Sequence, residues 1–487
     1  MQTLLDVFPV AQLSAIQVAQ LLPLVLLAIG GTLALILGAT KDHQAGHRLS
    51  YATSMVTLLA SSAGLLLAPG DAVLIGDVLK LGLQTQSLSF VLHLAVGLGM
   101  MLLYTQSKES YLLSEIYPLA IFSLLGMCLL AGSEHLLFQF IAIEIMSLAI
   151  YVMVAIKKGS KASAEAGLKY FILGGLASAL FLYGAALVFG ASGSLSLSSI
   201  ATSPGSWLKN IGLVLVICGL LFKVGAFPFH GWVPDVYQGA ILPVTAIMAA
   251  AVKMSAFIVL GKVATSALSD VNAQELIHWL VTISAILTMA YGNIVALTQK
   301  NLKKLLAYSS IAHTGYLMVG ILSLNQGGQA AIYLYLTFYV FTTLGTFAIL
   351  QLLFPGDEEA TIEQLNGLGL SHPLLGGLLT LFFLAMAGIP ITSGFIGKYL
   401  VFSAGVNAGN VLLVIFAVLT SVVATFYYLR VIVALYFNKA SSVLSTRWAM
   451  SALVVAIICG LATLHFGLRP NTLINYFTSE SPQTRNL

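Results

Sequence analysis

The chain has 487 residues, of which 59% are hydrophobic and only 8% charged. Soluble globular domains carry about a quarter charged residues, so a soluble enzyme or binding module is excluded and an all-α polytopic membrane protein is expected. The net charge of +4 is slight, and no basic tract is long enough to follow a phosphate backbone, so nucleic acid is not an expected partner.

A span needs about 20 predominantly apolar residues. Fourteen segments qualify, near 17–38, 51–68, 86–106, 115–132, 135–156, 168–190, 210–229, 240–262, 275–298, 305–324, 327–353, 374–404, 408–437 and 447–468. The first shows no small-residue cleavage pattern and reads as a span rather than a signal peptide. Connections are short; only Gly132 to Glu134 separate the fourth and fifth segments. Cys128, Cys218 and Cys459 lie inside apolar runs, with neither disulfide nor zinc spacing, and read as packing residues.

Charge in the connections sets the expected orientation. With the N-terminus outside, twelve of the 21 Lys and Arg fall on inner loops, Lys108 and Arg447 among them, and five on outer ones, Arg485 among them. The clearest inner segments are KKGSK (157–161) and KNLKK (300–304). Both termini are therefore expected outside. The acidic stretch 356–360 falls inside, which the rule tolerates because acids weigh little.

Two spans carry helix breakers. GLLFKVGAFPFHGWVPD (219–235) contains Gly225 and Pro228; FLAMAGIPITSGFIGKYL (383–400) contains Gly388, Pro390, Gly394 and Gly397. They are the seventh and twelfth of fourteen spans, a separation of five. Paired interrupted segments point to inverted repeats around a transport site; ordinary proline kinks are the alternative. Counting between breaks puts the broken helix third in spans five to nine and ten to fourteen.

Ionisable side chains in mid-membrane cost a few kcal/mol and rarely persist without partners or water. Glu144, in FIAIEIMSLAI, is roughly 15 Å from either surface at 1.5 Å per residue. Lys223 is about 13 residues into its span, with Trp232 and Tyr237 beyond it read as interface markers. Lys253 is similarly central, whereas Lys262 reads as an end-anchor. Lys398 follows Pro390, beyond the break, where snorkelling is the alternative. Arg430 lies about 10 Å from the inner end and reads as snorkelling or locally paired. A buried lysine loses its proton more readily when a carboxylate moves away and holds it when the carboxylate returns. One acid and three lysines at depth therefore suggest a proton relay switched by pair distance.

Polar stripes offer a way in. Ser309, Ser310, His313 and Tyr316 share a helical face just after the basic loop, and Tyr335, Tyr339, Thr342, Thr343 and Thr346 do the same in the next span. They suggest a wet half-channel from the inside; interhelical hydrogen bonding is the alternative. No metal cluster, phosphate loop, haem pair or catalytic triad is visible in the sequence. His230 and Asp235 in FPFHGWVPDVYQGA could bind something but define no reaction.

These residues carry a resemblance. FKVGAFPFHGWVPDVYQGAILPVT (222–245), YGNIVALTQKNLKKLLAYSSIAHTGYLMVG (291–320) and LAMAGIPITSGFIGKYLVF (384–402) resemble the antiporter-like proton-pumping subunits of respiratory complex I, a family shared with multisubunit cation/proton antiporters. The likeness runs over about residues 115–437. The PFHGWVPDVYQGA wording, lysine at 398 and the lack of a long C-terminal lateral helix point to one branch of it. The resemblance implies two inverted five-helix repeats, spans four to eight (115–262) and nine to thirteen (263–437), after N-terminal spans (1–114) and before a last span and tail (438–487). Helices seven and twelve would be discontinuous, each fourth in its repeat.

By this resemblance Glu144 is the essential glutamate, Lys223, Lys253 and Lys398 are the lysines of spans seven, eight and twelve, and His313 is the span-ten histidine. All would serve proton transfer, coupled to quinone reduction elsewhere in a proton-translocating NADH:quinone oxidoreductase. No cofactor or metal is expected in this chain; NADH, FMN, iron–sulfur clusters and quinone would belong to other subunits. Partners would be other membrane-arm subunits, neighbouring antiporter-like subunits and the lipid of a bacterial inner membrane. A subunit of a sodium/proton antiporter is the alternative function, and a scaffold with vestigial charges a third. The chain departs from the family after Tyr237–Gln238, where Ile241–Leu242 precede Pro243.

Overall fold

The computed structural model describes residues 14–70, 72–106, 112–268, 271–355, 360–439 and 449–478. Lys108, Arg447, Arg485 and the acidic residues 357–359 lie outside the described residues. In an apolar chain every backbone polar group must be satisfied within its own segment, and helices do that. The principal helices are α1 (Ala15–Gly38), α2 (His43–Leu67), α3 (Leu83–Tyr104), α4 (Ile116–Gly132), α5 (Leu136–Val154), α6 (Lys161–Ser192), α7 (Trp207–Val224), α8 (Trp232–Gly239) and α9 (Leu242–Leu268). They continue with α10 (Val271–Thr298), α11 (Leu302–Ile321), α12 (Gly328–Leu353), α13 (Pro373–Ala387), α14 (Ser393–Asn407), α15 (Val411–Phe437), α16 (Met450–Leu468) and α17 (Asn471–Thr478).

Each expected span meets a helix or a broken pair. Among the described residues eleven helices are long and apolar enough to cross a membrane alone, or up to twelve if the bent pair Glu363–Ser371 and Pro373–Ala387 is one span. The remaining expected spans are α4, with 17 residues, α11, made less apolar by its lysines and polar stripe, and the interrupted pair α13 and α14. Polar side chains start helices where the backbone runs out of partners: Ser206 accepts from the Lys209 N–H at 3.2 Å, and Asn301 from the Lys304 N–H at 3.1 Å. Pro243 stands in the first turn of α9, so the Ile241–Leu242 departure leaves an ordinary helix start.

The bundle is organised around α9 and α12, whose apolar windows are wholly buried. Nearly every residue of α11 is buried too. Helices α6, α10, α15 and α16 instead turn large apolar side chains outward, such as Leu176, Ile294, Val422 and Leu461. One end carries a two-stranded antiparallel hairpin, β1 (Val73–Ile75) and β2 (Leu79–Leu81), bridged from Leu79 to Ser133. Lys262 is paired there with Glu134 at 3.0 Å rather than simply anchored. At the other end Lys169 holds both Glu165 at 2.7 Å and Asp235 at 2.8 Å. Lys303 is not a loop charge: it is buried and donates to the Ala240 carbonyl at 3.0 Å, closing the end of α8.

Trp232 and Tyr237 are not interface markers. Both are buried; Trp232 stacks on Tyr170 at 4.4 Å and Tyr237 lies 3.4 Å from the Ser310 hydroxyl. An aromatic with a polar tip marks an interface only if water is there, and here the tips find protein. Arg430 pairs locally, as one reading held, donating to the carbonyls of Leu297 at 2.7 Å and Gln299 at 2.5 Å.

Helices α6 and α7 touch backbone to backbone at Gly184 and Gly212. A Cβ on Gly212 would lie 2.7 Å from the Gly184 carbonyl oxygen, and one on Gly184 2.6 Å from that of Gly212. Backbone cannot yield as a side chain can, so Gly212→Val should destabilise by about 1–3 kcal/mol. Gly175→Ala on the same α6 meets nothing within 4 Å and should not lower stability. Thermal midpoints of the purified variants check this, and an unshifted Gly212→Val would refute the packing argument.

Candidate functional site

Helix α7 stops at Val224 because Gly225 takes a left-handed conformation, φ 72°, that closes the last turn. Lys223 is thus in the final turn, where the helix dipole favours a cation. It is 4% exposed and lies away from the surface. Its ammonium donates to Ser147 Oγ at 2.9 Å and Tyr151 OH at 2.9 Å, and lies 5.3 Å from the Tyr151 ring centre. Both oxygens come from α5, the helix of Glu144.

Glu144, Ser147 and Tyr151 stand at i, i+3 and i+7, one face of α5. The carboxylate accepts a short hydrogen bond from Ser178 Oγ of α6. It makes no ion pair with Lys223; the lysine sits one to two turns further along, held by hydroxyls. Acid and base share a helix face without touching.

Lys253 follows a π-helical turn, Met248–Val252, inside α9. Such turns often mark functional positions. Its ammonium is buried, donates to the Ser310 carbonyl at 2.6 Å and to the Ser310 hydroxyl, and lies 5.5 Å from the Tyr339 ring centre. Lys223 and Lys253 line one cavity with Tyr170, Tyr237 and Ile311, about large enough for one water molecule.

His313 is buried with both ring nitrogens bonded: Nδ1 is 2.6 Å from Tyr335 OH and Nε2 3.1 Å from Tyr428 OH. Tyr428 is bonded in turn to Ser309. The Tyr339 ring, which covers Lys253, is 5.1 Å from the His313 ring. Neighbouring Tyr427 donates to Asn293 Oδ1 at 3.2 Å, and Asn293 donates to Tyr316 OH at 3.0 Å. The ammonium of Lys398 lies 5.1 Å from the centre of that Tyr316 ring.

Lys398 does not snorkel. It is 5% exposed and donates to Ser421 Oγ at 2.8 Å and to the Ala387 carbonyl at 2.9 Å. Ala387 ends α13 and Gly388 follows with φ 84°. Lys398 therefore reaches back from α14 to the open end of α13, and a Cβ at Gly388 would lie 2.9 Å from its Cδ.

The structure thus brings Lys223, Lys253, His313 and Lys398 together in the buried interior, with hydroxyls, rings and an amide among them, and leaves Glu144 half-buried beside Ser178 at the α5–α6 contact. Of the second polar stripe, Thr342 and Thr346 donate back to their own helix at 2.7 Å and 2.8 Å, as buried threonines commonly do. His230 stacks on Phe227 at 5.2 Å and Asp235 is paired with Lys169, so that loop is engaged internally. Ser147, Tyr151, Ser178, Asn293, Ser421 and Tyr428 were missed from sequence. For the first two a signal existed, the Glu-x-x-Ser-x-x-x-Tyr spacing; the others come from distant segments, and no local pattern marks them.

A sequence profile described as NADH:quinone oxidoreductase/Mrp antiporter, TM, matches residues 133–425. The chain is 36% identical over 478 residues to NADH-quinone oxidoreductase subunit N of Granulibacter bethesdensis, covering 93% of this chain and 96% of that one. It is 41% identical over 376 residues to the protein of the same name from Mycobacterium tuberculosis, covering 74% and 70%. Among solved structures it superposes on a chain of respiratory complex I from Thermus thermophilus with a TM-score of 0.81 at 33% identity, covering 93% and 98%. A chain of an Mrp complex from Dietzia sp. shares the fold, with a TM-score of 0.82 at 18% identity and 96% of each chain covered.

The hold on Lys223 is testable as stability. Hydrogen bonds to a buried charge contribute about 1.5–3 kcal/mol each, so Ser147→Ala with Tyr151→Phe should lower the thermal midpoint clearly. Adding Lys223→Met, which removes the stranded charge, should restore most of it. A double variant as stable as the parent would show that the ammonium is held by something else.

Proposed function

The chain belongs to the NADH:quinone oxidoreductase/Mrp antiporter transmembrane family, and from that membership we propose that it is a proton-pumping membrane-arm subunit of a respiratory NADH:quinone oxidoreductase. The single observation that carries the reading is the row of three buried ammonium groups and a buried imidazole with a half-buried carboxylate at one end, each held by hydroxyl or carbonyl oxygens. Oxidation of NADH and reduction of quinone take place in other subunits, which also hold the FMN and iron–sulfur clusters. What reaches this chain is a change of charge and geometry.

Glu144 and Lys223 form the switch. As they stand the carboxylate is occupied by Ser178 and the ammonium by Ser147 and Tyr151. Closing the gap strengthens the hold of Lys223 on its proton; opening it weakens that hold. Lys253 passes the proton laterally, His313 and its tyrosines connect onward, and Lys398 releases it. Moving one charge against 100 mV costs about 2.3 kcal/mol, within what a change in one buried lysine–carboxylate distance supplies.

The architecture we assign has fourteen spans, with inverted repeats over 115–262 and 263–437. Supporting it, the breaks at Gly225 and Gly388 each interrupt the fourth helix of their repeat. The lysine distribution supports both termini on the outer side of a bacterial inner membrane. The outward apolar faces of α6 and α15 suit lipid or neighbouring membrane-arm subunits. Identity of 36–41% to proteins named NADH-quinone oxidoreductase subunit N favours this reading over a free-standing antiporter.

In assembled complexes, Glu144→Gln, Lys223→Ala and Lys253→Ala should each lower NADH-driven proton translocation by about tenfold or more, since tenfold corresponds to only about 1.4 kcal/mol. Lys223→Ala complexes pumping at the parental rate would leave the charges vestigial. A native complex without iron–sulfur clusters or NADH oxidation would favour the antiporter.

A further inference from the structure

Helix α11 touches the broken span at three heights. Lys303 donates to the Ala240 carbonyl at the end of α8. The Ser310 hydroxyl meets Tyr237 of α8 at 3.4 Å. Thr314 Oγ1 donates across to the carbonyl of Val224, the last residue of α7, at 2.8 Å. That carbonyl is one the break sets free: the closing turn uses the Leu221 and Phe222 carbonyls, taken by the Ala226 and Gly225 N–H groups, and leaves Val224 without a helical donor. Val224 is the residue after Lys223.

Thr314 has a second acceptor within reach. Its hydroxyl oxygen is 3.2 Å from the Ser310 carbonyl, the oxygen that takes the Lys253 ammonium at 2.6 Å. A back-bond of this kind is the ordinary resting place of a helical threonine. The long-range bond to Val224 is the unusual one, and it is the shorter. A hydroxyl has one proton to donate, so the two carbonyls compete for it. A continuous row results: the end of Lys223's helix, the Val224 carbonyl, the Thr314 hydroxyl, the Ser310 carbonyl, the Lys253 ammonium.

We propose that Thr314 is a positioning residue that couples the two lysines by sharing its single hydroxyl proton between the Val224 and Ser310 carbonyls. With α7 seated against α11, Thr314 serves Val224 and the Ser310 carbonyl is left to Lys253. When the end of α7 moves away, the proton turns back to Ser310 and adds a third donor, beside the helical Thr314 N–H and the ammonium, to the oxygen that holds Lys253, loosening that ammonium. Motion at Lys223 is thereby felt at Lys253 without contact between them. The role rests on the proton-relay reading above, and Thr314 itself carries no transported proton.

The test uses assembled complexes in native membrane vesicles, with complex content measured alongside NADH-driven proton translocation. Thr314→Val keeps the shape and removes the donor; Thr314→Ala removes it with a small void, so either variant that assembles gives the answer. Translocation per assembled complex should fall about five-fold, the factor one ordinary net hydrogen bond commands, and Thr314→Ser should restore it. Parental pumping in the donor-less variants, or a Thr314→Ser variant as defective as Thr314→Val, overturns the proposal. Lys253→Ala separates the two levels: if it pumps normally the relay reading fails, whereas if it is inactive and Thr314→Val pumps normally only the coupling fails.

Discussion

An ammonium group buried among apolar helices must be met by oxygen atoms or π-electrons, and meeting three of them dictates the plan of this bundle. Each buried lysine of the line has two oxygen acceptors and an aromatic face: Ser147 and Tyr151 for Lys223, both Ser310 oxygens and the Tyr339 ring for Lys253, Ser421, Ala387 and the Tyr316 ring for Lys398. The ligands come from α5, α11, α12, α13 and α15, so every one of those helices must be positioned to about hydrogen-bond accuracy. Close packing follows, and with it the glycine contacts between α6 and α7.

The two breaks look alike in sequence and are used differently. At the second, the open helix end is given directly to a lysine, since Ala387 accepts from Lys398. At the first, Lys223 turns away from the opened backbone toward α5, and the freed carbonyls are taken by others, Val224 by Thr314 and Phe227 by Ser284, while Trp232 adds a bond to the Phe222 carbonyl of the closing turn. The opening at Gly225 therefore serves other side chains, and Lys223 draws its polarity from the hydroxyls of α5. A helix end offers three or four unpaired carbonyls, and which neighbour takes them depends on what packs there.

Much of the site was legible because membrane burial makes charge conspicuous. In a chain 8% charged, Glu144, Lys223, Lys253 and Lys398 stand out against their surroundings, and depth can be counted along a helix at 1.5 Å per residue. Hydroxyls and tyrosines do not stand out in the same way. Ser178, Ser421 and Asn293 look like any small polar residue of a membrane helix, and their value comes from what faces them. Trp232 and Tyr237 misled for the same reason, being equally at home at an interface and in a core.

The sequence by itself determined that the chain is a bundle of apolar helices, that two of them are interrupted, and which titratable groups lie deep. These are properties of single segments, set by hydropathy, helical rise and the conformational freedom of glycine. Only the tertiary structure decided that Lys223 of α7 docks on the α5 face of Glu144 without meeting it, that Lys398 closes the end of α13, and that Thr314 lies between two lysines. Those facts are distances between segments up to 90 residues apart. They are chosen by how side chains interlock when helices pack, which no local pattern encodes.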